Sequence, residues 1–368
     1  MLSSNNAETS QDERQFSWAK CSHVFLQKGR VRRRHRNGKI GEYIVRKCVN
    51  WSAVHAGMRR KNVPMILSLV FVLASTLSLL ILLDRGPEKP VENVNTGKRY
   101  ASIQEAIDAN DTLNGHTLLV HPGKYVECVN ITKTLTVKGL NRSSTIIERS
   151  RRGPAAVTVR ADGSTLANLT VRNSTIGIRC FAANRCEILG NELSDCGTSI
   201  AAYFSNNTLV EGNEVFNGTL RGIHIYSSNC TIVINNRIEN VTGMGKAVAA
   251  IHIQNSLNST VFQNLLMRNA CGIQLEVDAS NSMIYHNNFI NNTKHAIVYS
   301  VNNTWDDGYP SGGNYWSGRN FRDNYSGPDQ NIPGIDGIQD FLYIIDEYNQ
   351  DRYPFAVPLN ILVHTRFS

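Results

Sequence analysis

The sequence predicts an all-β fold, a right-handed, single-stranded parallel β-helix of about nine coils, preceded by one transmembrane helix. Three observations predict the β-helix. Apolar residues recur at intervals of 22 to 24 residues. Each interval holds three short segments in which apolar and polar residues alternate as they do in strands, and an asparagine recurs at one place in the interval. A repeat this short accommodates three strands with their turns, and stacked coils then bury a continuous apolar column.

Three series of apolar positions define the coil. The first follows a small residue and consists of Ile178, Ile200, Ile223, Ile251, Ile273 and Ile297. The second is Val171, Leu193, Val215, Ile238, Leu266 and Ile290, and the third is Ile188, Leu209, Ile232, Val261 and Ile284. We expect these side chains to point into the core. A step of 28 residues occurs once in each of the first two series, which indicates a single insertion around residues 243–248.

An asparagine precedes most members of the second series by two residues. The predicted ladder consists of Asn191, Asn213, Asn236, Asn264 and Asn288. Stacked at one corner of the coils, their side-chain amides can satisfy the backbone groups of the turns and one another.

The β-helix is predicted to span residues 99–303. Its first coil needs a cap, because an open edge would expose unpaired backbone groups. Residues 102–110 (SIQEAIDAN) are typical of an amphipathic capping helix, with Ser102 as N-cap and Glu105 completing a capping box. Residues 304–368 are predicted to cap the other end, with the aromatic residues of the segment 305–316 folded over the last coil.

Charge is distributed unevenly along the chain. Residues 1–84 contain 14 Lys and Arg against 5 Asp and Glu, whereas residues 85–368 contain 24 against 25. The net charge of +8 therefore belongs to the N-terminal quarter. The remainder is nearly neutral, which argues against nucleic acid as a partner.

Residues 63–83 form a run of 21 residues without a charge, long enough to cross a membrane as a helix. Basic residues flank its N-terminal side, so the sequence predicts a signal anchor with a basic cytoplasmic segment at 1–62, a linker at 84–98 and the β-helix outside the cell. The alternative is a cleavable signal peptide, but no small-residue cleavage motif follows the run. Thirteen N-x-Ser/Thr sequons beyond it are consistent with a glycosylated surface protein.

Two stretches resemble a known family. Residues 100–141 (YASIQEAIDAN…NGHTLLVHPGKYVECVNITKTLTVKGLN) resemble its opening, and residues 304–318 (TWDDGYPSGGNYWSG) with 334–355 (GIDGIQDFLYIIDEYNQDRYPF) resemble its end. The family is the NosD-like branch of the pectin-lyase-like right-handed β-helix proteins, also called the carbohydrate-binding and sugar-hydrolysis (CASH) domain. The resemblance covers about residues 99–356.

This resemblance implies an extracellular protein, of archaeal origin, that binds or processes carbohydrate. The namesake of the family assists copper delivery to nitrous oxide reductase, which would imply a periplasmic copper role with an ABC transporter as partner. This chain reads GIDGIQDFLY where the family has an Asp-rich stretch. That departure weakens the case for a metal in the C-terminal loop.

The register of the repeat predicts one outward face as the place for function. Its residues are Tyr203, His224, Tyr226, His252, Gln254, Gln274 and Glu276. Aromatic rings beside hydrogen-bonding groups suit carbohydrate, because rings stack on the C–H faces of sugars and polar groups bond the hydroxyls. The alternative is an ordinary solvated sheet face.

Catalysis and metal binding are secondary hypotheses for this face. Glycoside hydrolysis usually needs two carboxylates, and the candidate pair is Glu276 with Asp278. His224 and His252 lie in adjacent coils and could share a copper or zinc ion. Calcium could bind the carboxylates of Asp306, Asp307, Asp336 and Asp340.

The sequence favours a membrane-anchored extracellular protein that binds or organises cell-envelope carbohydrate without catalysis. A polysaccharide hydrolase or lyase is one alternative. A copper-delivery accessory protein is the other.

Overall fold

The computed structural model describes residues 70–74, 76, 90–150, 153–245, 247–318 and 322–361. The β-helix lies within the unit Val72–Ser368. Residues 70–74 and 76 are helical, whereas the rest of the predicted span 63–83 and the segment 1–62 lie outside the described residues. Within the described ranges no helix is long and apolar enough to span a membrane. The transmembrane helix predicted for residues 63–83 is thus not shown and stays a prediction.

Three parallel sheets form the walls of the β-helix, as the repeat predicts, and each coil adds one strand to each sheet. Sheet A contains β3 (Thr117–Val120), β6 (Thr136–Gly139), β9 (Thr165–Ala167), β12 (Glu187–Leu189), β15 (Leu209–Glu211), β18 (Ile232–Ile234), β21 (Thr260–Phe262) and β24 (Met283–Tyr285). Sheet B contains β4 (Gly123–Glu127), β7 (Thr145–Arg149), β10 (Thr170–Arg172), β13 (Glu192–Ser194), β16 (Glu214–Phe216), β19 (Arg237–Glu239), β22 (Leu265–Met267), β25 (Asn288–Ile290) and β27 (Tyr315–Trp316). Sheet C contains β5 (Val129–Ile131), β8 (Val157–Val159), β11 (Ile176–Phe181), β14 (Thr198–Tyr203), β17 (Arg221–Tyr226), β20 (Ala249–Gln254), β23 (Cys271–Leu275) and β26 (Lys294–Val298). The described residues thus build eight coils and the start of a ninth, which confirms the predicted number.

The register of sheet A corrects the third predicted series. Ile188 pairs with Val210, and Val210 pairs with Val233; all three are fully buried. The prediction that Leu209 and Ile232 face the core is wrong, because each lies one residue before a core valine, and Ile232 is 41% exposed. Both strands have apolar residues at adjacent positions, so alternation alone cannot decide which of them points inwards.

The last coil shows a second one-residue correction. In sheet B, Phe289 takes the core position predicted for Ile290. In sheet C, Ala296 pairs with Ile273 in the place predicted for Ile297. Both shifts have one cause, since the chain returns to the same position after 23 residues here rather than 24.

The small residue before the core isoleucines of sheet C has a steric reason. At Gly222, an added Cβ atom would lie 2.5 Å from the carbonyl oxygen of Ala250 and 2.6 Å from Cγ2 of Ile238. The backbone of the next coil therefore passes too close for a large side chain. This close approach accounts for the pattern of a small residue followed by isoleucine.

The 28-residue step is confirmed as one lengthened turn. It lies between β19 and β20, where residues 240–248 connect sheet B to sheet C. Met244 in this turn is fully exposed. The coils on either side keep their register, since His224 still pairs with His252 across the step.

The asparagine ladder runs along the corner between sheets A and B. The backbone N–H and side-chain amide of each member donate to Oδ1 of the next member at 2.9 to 3.1 Å. The members are Asn191, Asn213, Asn236, Asn264, Asn287 and Asn314, all fully buried. The first four are confirmed, but the prediction of Asn288 is wrong. Its amide bonds the backbone of Leu359, because the one-residue shift at Phe289 moves the ladder to Asn287.

A helix caps the N-terminal end, as predicted. The helix α1 (Ile103–Asp108) begins after Ser102, whose hydroxyl accepts the backbone N–H of Glu105 at 3.0 Å. The Glu105 carboxylate accepts the N–H of Ala101 at 2.9 Å. The reciprocal bond of the capping box thus falls one residue earlier than in the usual motif.

The first β-strands lie inside or overlap the predicted linker 84–98. The strands β1 (Val91–Asn93) and β2 (Lys98–Tyr100) extend sheet A beside β3, and both pairings are antiparallel. A short 3₁₀ helix, Arg142–Ser144, precedes β7. The N-terminal edge of sheet A is therefore a hairpin rather than an open coil.

Two tryptophans close the C-terminal end. The Trp316 ring stacks on Phe289 with centroids 4.3 Å apart and on Tyr343 with centroids 4.1 Å apart. Trp305 lies 6.0 Å from Trp316, and both tryptophans are buried. These rings cover the last coil, which agrees with the capping role predicted for the segment 305–316.

The asparagine ladder ends on a carboxylate of this cap. Asp351 accepts the backbone N–H of Asn314 at 2.7 Å and the indole N–H of Trp316 at 2.8 Å. Burial raises the pKa of Asp351 to about 7. Two short hairpins complete the region and consist of β28 (Tyr325–Ser326) with β29 (Ile332–Pro333) and β30 (Tyr343–Ile344) with β31 (Gln350–Asp351).

Candidate functional site

The seven residues predicted to form a binding face lie together on the outer surface of sheet C. They belong to the adjacent strands β14, β17, β20 and β23 or, for one of them, to the position directly after β23. One column holds His224, His252 and Gln274, and the next holds Tyr203, Tyr226 and Gln254, with Glu276 following β23. The predicted residues therefore form one contiguous surface across four coils.

A chain of hydrogen bonds runs through His252. Arg221 donates its Nε–H to His252 Nδ1 at 2.6 Å, and His252 Nε2 lies 2.9 Å from Oε1 of Glu276. Because Nδ1 accepts from the arginine, the proton of the neutral ring resides on Nε2 and is donated to Glu276. Gln274 donates its side-chain N–H to the same carboxylate oxygen at 2.8 Å. Two buried donors thus fix the position of the Glu276 carboxylate.

His224 lies beside this chain of hydrogen bonds. Its ring stacks on His252 with centroids 5.0 Å apart and an interplanar angle of 13°, and its Nδ1 lies 3.0 Å from the hydroxyl of Tyr203. The residue is 6% exposed. Burial, together with the nearby Arg221 and His252, lowers the pKa of His224 to about 3. Burial also lowers the pKa of His252, so both rings are neutral at physiological pH.

Arg221 is the member of this network that sequence reasoning missed. It opens β17 at a position where the neighbouring strands have Thr198 and Ala249. Burial lowers the pKa of its guanidinium, and the charge of Glu276 opposes that effect. A charged residue at a strand position that is small or weakly polar in the adjacent coils is the signal that could have identified it.

Four aromatic rings form a strip on the same face; we call Phe181, Tyr203, Phe204 and Tyr226 the aromatic strip. Tyr203 and Tyr226 meet edge to face with centroids 6.1 Å apart. Phe204 meets Tyr226 at 5.5 Å and Phe181 at 5.9 Å in the same geometry. Phe204 is 50% exposed. The strip therefore presents rigid aromatic surface to solvent beside the hydrogen-bonded network.

An open groove of about 490 Å³ borders this face at the turns between sheets C and A. Its lining includes Ser227, Asn229, Asn255, Leu257 and Asp278. These residues follow the strands β17, β20 and β23 in successive coils. Hydrogen-bonding side chains and an exposed leucine thus line the groove together.

The two predicted catalytic carboxylates have different surroundings. Glu276 is bonded to His252 and Gln274, whereas Asp278 lines the groove. Their role in cleaving a glycosidic bond stays a prediction.

A copper or zinc ion shared by His224 and His252 does not fit this arrangement. Both ring nitrogens of His252 already have partners. The lone pair of an imidazole nitrogen lies in the ring plane, so two stacked, nearly parallel rings cannot direct their nitrogens at a common ion. Across the part of the chain that the structure describes, no three His, Cys, Asp or Glu side chains form a cluster suited to a metal.

The carboxylates predicted for calcium are engaged in other contacts of the C-terminal cap. Asp306 forms an ion pair with Arg352 at 2.7 Å. Asp307 accepts a hydroxyl at 2.7 Å. Asp336 and Asp340 accept backbone N–H groups at 3.0 Å and 2.9 Å. These carboxylates stabilise turns, and calcium binding by them stays a prediction.

Two comparisons with known sequences bear on this chain. Residues 109–322 match a family described as periplasmic copper-binding protein (NosD), and the match extends over more than half of the chain. A cell surface glycoprotein from Methanothermus fervidus is 29% identical over 164 residues. This alignment covers 42% of the chain but only 27% of that glycoprotein.

Several solved structures share similarity with the chain at low identity. An alginate lyase from Paenibacillus sp. is 12% identical with a TM-score of 0.28, covering 57% of this chain and 93% of the lyase. A pectin methylesterase from Yersinia enterocolitica is 14% identical with a TM-score of 0.31, and the match covers 55% of this chain and 81% of the esterase. A mannuronan C-5 epimerase module from Azotobacter vinelandii is 16% identical with a TM-score of 0.33, and the match covers 59% of this chain and 77% of the epimerase module. These TM-scores are too low to support any argument about ligand or activity.

Proposed function

The chain belongs to the NosD family, described as periplasmic copper-binding proteins, and we propose that it binds carbohydrate of the cell envelope on the outer face of sheet C without catalysing a reaction. The aromatic strip is the observation on which the proposal rests. Its rings are fixed by edge-to-face contacts, and Phe204 remains half exposed. Fixed aromatic surface beside hydrogen-bonding groups is the usual composition of a sugar site.

The polar side of the face supports the same function. Gln274 and His252 each donate a hydrogen bond to the Glu276 carboxylate, so this carboxylate is preorganised and a ligand need not order it. The groove adds the side chains of Ser227 and Asn255, which bond each other at 2.8 Å. Together these groups offer donors and acceptors for sugar hydroxyls along more than one coil.

Location outside the cytoplasm is part of the proposal. The relative from Methanothermus fervidus is named a cell surface glycoprotein, and the family description places its members in the periplasm. The uncharged run at residues 63–83 would attach the β-helix to the membrane. Copper is not part of the proposal, because the histidines of this face do not fit a shared ion.

A glycan array tests the proposal directly. The full chain, purified in a mild detergent, is expected to bind a subset of envelope glycans. Replacing Tyr226 by alanine removes one ring of the aromatic strip and is expected to weaken binding about fivefold, because an aromatic contact contributes roughly 1 kcal/mol beyond buried area.

Tyr348→Ala is the matched control, since this tyrosine lies on the C-terminal cap and is 66% exposed. It should leave binding unchanged. Absence of binding to every glycan would overturn the proposal. Equal losses in the two variants would show that the sheet C face is not the site.

A further inference from the structure

Two arginines share one ring at the N-terminal end of the aromatic strip. The guanidinium carbon of Arg160 lies 5.1 Å from the centroid of Phe181, and that of Arg179 lies 5.0 Å from it. Arg179 belongs to β11, and Arg160 directly follows β8 in the preceding coil. Two positive charges therefore converge over the same aromatic side chain.

No carboxylate neutralises this pair. Among the described residues, neither arginine forms an ion pair with Asp or Glu, and the nearby Asp162 is paired with Arg185 instead. Within the described residues, the Nε of Arg179 is buried without an acceptor, and the side chain of Arg179 makes one hydrogen bond, a long one of 3.4 Å to Thr158. Burial and the charge of Arg160 lower the pKa of Arg179. Each observation indicates a cationic site that lacks its anion.

The face is also polarised along the coils. Its N-terminal end has Arg160 and Arg179, whereas Glu276 and Asp278 lie four coils further on. An anionic group is thus attracted to one end and repelled from the other. Guanidinium groups bond carboxylate and sulfate oxygens through paired N–H donors, which makes arginine the residue of choice for such anions.

We propose that the glycan bound on this face is acidic, and that one of its carboxylate or sulfate groups lies between Arg160 and Arg179 beside Phe181. This inference rests on the proposed carbohydrate function and adds the chemical class of the ligand. The uncharged part of the same glycan would extend along the aromatic strip towards Tyr226.

A purely structural role for the two arginines makes a different prediction. Their aliphatic stems and guanidinium planes could simply cover the ring of Phe181. In that case their removal would lower the melting temperature without changing the selectivity for charged glycans. Binding and stability must therefore be measured on the same variants.

The test compares polymers that share a backbone and differ in charge, together with an array of neutral, carboxylated and sulfated glycans. Dextran, carboxymethyl-dextran and dextran sulfate are titrated into the full chain in detergent at low salt. We expect binding to one or both charged polymers, weakened by added salt, and array signals concentrated on acidic glycans. The double variant Arg160→Gln/Arg179→Gln should weaken this binding by about tenfold to a hundredfold, and Arg160→Lys/Arg179→Lys should retain part of it.

The control removes the same net charge elsewhere, through Arg99→Gln/Arg172→Gln, and should change binding little. Equal losses in the control would overturn the site, as would array signals on neutral glycans that the double variant leaves unchanged. A lower melting temperature of the glutamine variant with unchanged binding would assign the arginines to packing and overturn it too. An array without any signal would instead remove the proposed carbohydrate function itself.

Discussion

His224 and His252 have adjacent, stacked rings but differ in how their ring nitrogens are hydrogen-bonded. Both nitrogens of His252 are engaged by Arg221 and Glu276. His224 Nδ1 lies 3.0 Å from the hydroxyl of Tyr203, and its Nε2 is buried. Neither ring is therefore an exposed proton donor or acceptor. What the face offers to solvent is the Glu276 carboxylate and the aromatic strip.

The burial of His224 predicts a loss of stability in acid. Its pKa is about 3 in the folded protein against an ordinary value of 6.5, so between these values the unfolded chain binds a proton that the folded chain does not. The contribution is fully present above pH 6.5 and is lost as the pH falls towards 3. Its slope approaches about 1.4 kcal/mol per pH unit. Urea denaturation at several pH values between 7.5 and 4.5 measures it.

The control for this prediction is His224→Gln, which keeps a polar side chain but cannot titrate. Its free energy of unfolding should fall less steeply between pH 6.5 and 4.5 than that of the natural chain. Parallel pH profiles would contradict the assignment of the lost stability to His224.

Among structural elements, the asparagine ladder makes the sharpest prediction. Asn236 accepts two bonds from Asn213, and its two amide N–H groups are shared among three acceptors, including the buried backbone oxygen of Val210. Asn236→Ala leaves several buried groups unpaired, each costing roughly 1 to 3 kcal/mol. We expect a loss of about 3 kcal/mol or more in the free energy of unfolding, measured by chemical denaturation.

Asn288→Ala provides the comparison, because this asparagine was assigned to the ladder from the sequence and lies outside it. Among the described residues, its side-chain amide bonds the backbone of Leu359 alone. The loss should be smaller and confined to the C-terminal segment in hydrogen exchange. An equal effect of the two substitutions would contradict the register described above.

The repeat predicted where the strands lie better than it predicted which residue of each strand points into the core. The period, the three strands per coil, the insertion at 243–248 and four ladder positions follow from the sequence because each recurs across many coils. The phase failed where the pattern is locally degenerate. Leu209 precedes an apolar neighbour, and Asn287 and Asn288 are adjacent asparagines, so only the packing of Phe289 and Val210 decides between them.

The candidate site was predictable to a similar extent. Alternation along the strands placed Tyr203, His224 and His252 on one face without further information. It could not show that His252 is bonded on both sides, because the partner Arg221 lies at the start of its strand, outside the two aligned columns. The arginine pair over Phe181 was equally hidden, since Arg160 follows a strand rather than belonging to it.

For the whole molecule, the caps determine whether the coils hold together. Trp316 stacks between Phe289 and Tyr343 at the end of the column. Trp316→Ala would leave a cavity at an exposed edge, so we expect a loss of roughly 3 to 5 kcal/mol and easier association of chains through the open coil. Chemical denaturation and light scattering measure these effects.

Tyr325→Ala, on the surface of the same cap, is the matched control and should change stability little. If Trp316→Ala also left stability and association unchanged, the ring would not be needed to close the last coil.

Because each coil adds the same rise, the number of coils sets the distance between the two charged ends of the face. Between the strand of Arg179 and the strand preceding Glu276 there are four coil steps, or about 19 Å at the usual strand spacing. Duplicating one 22-residue unit between them would move the two charged ends about 4.8 Å further apart and leave both ends intact. If the face binds an acidic glycan as proposed, the distance between its two charged ends would then change only in whole coil steps.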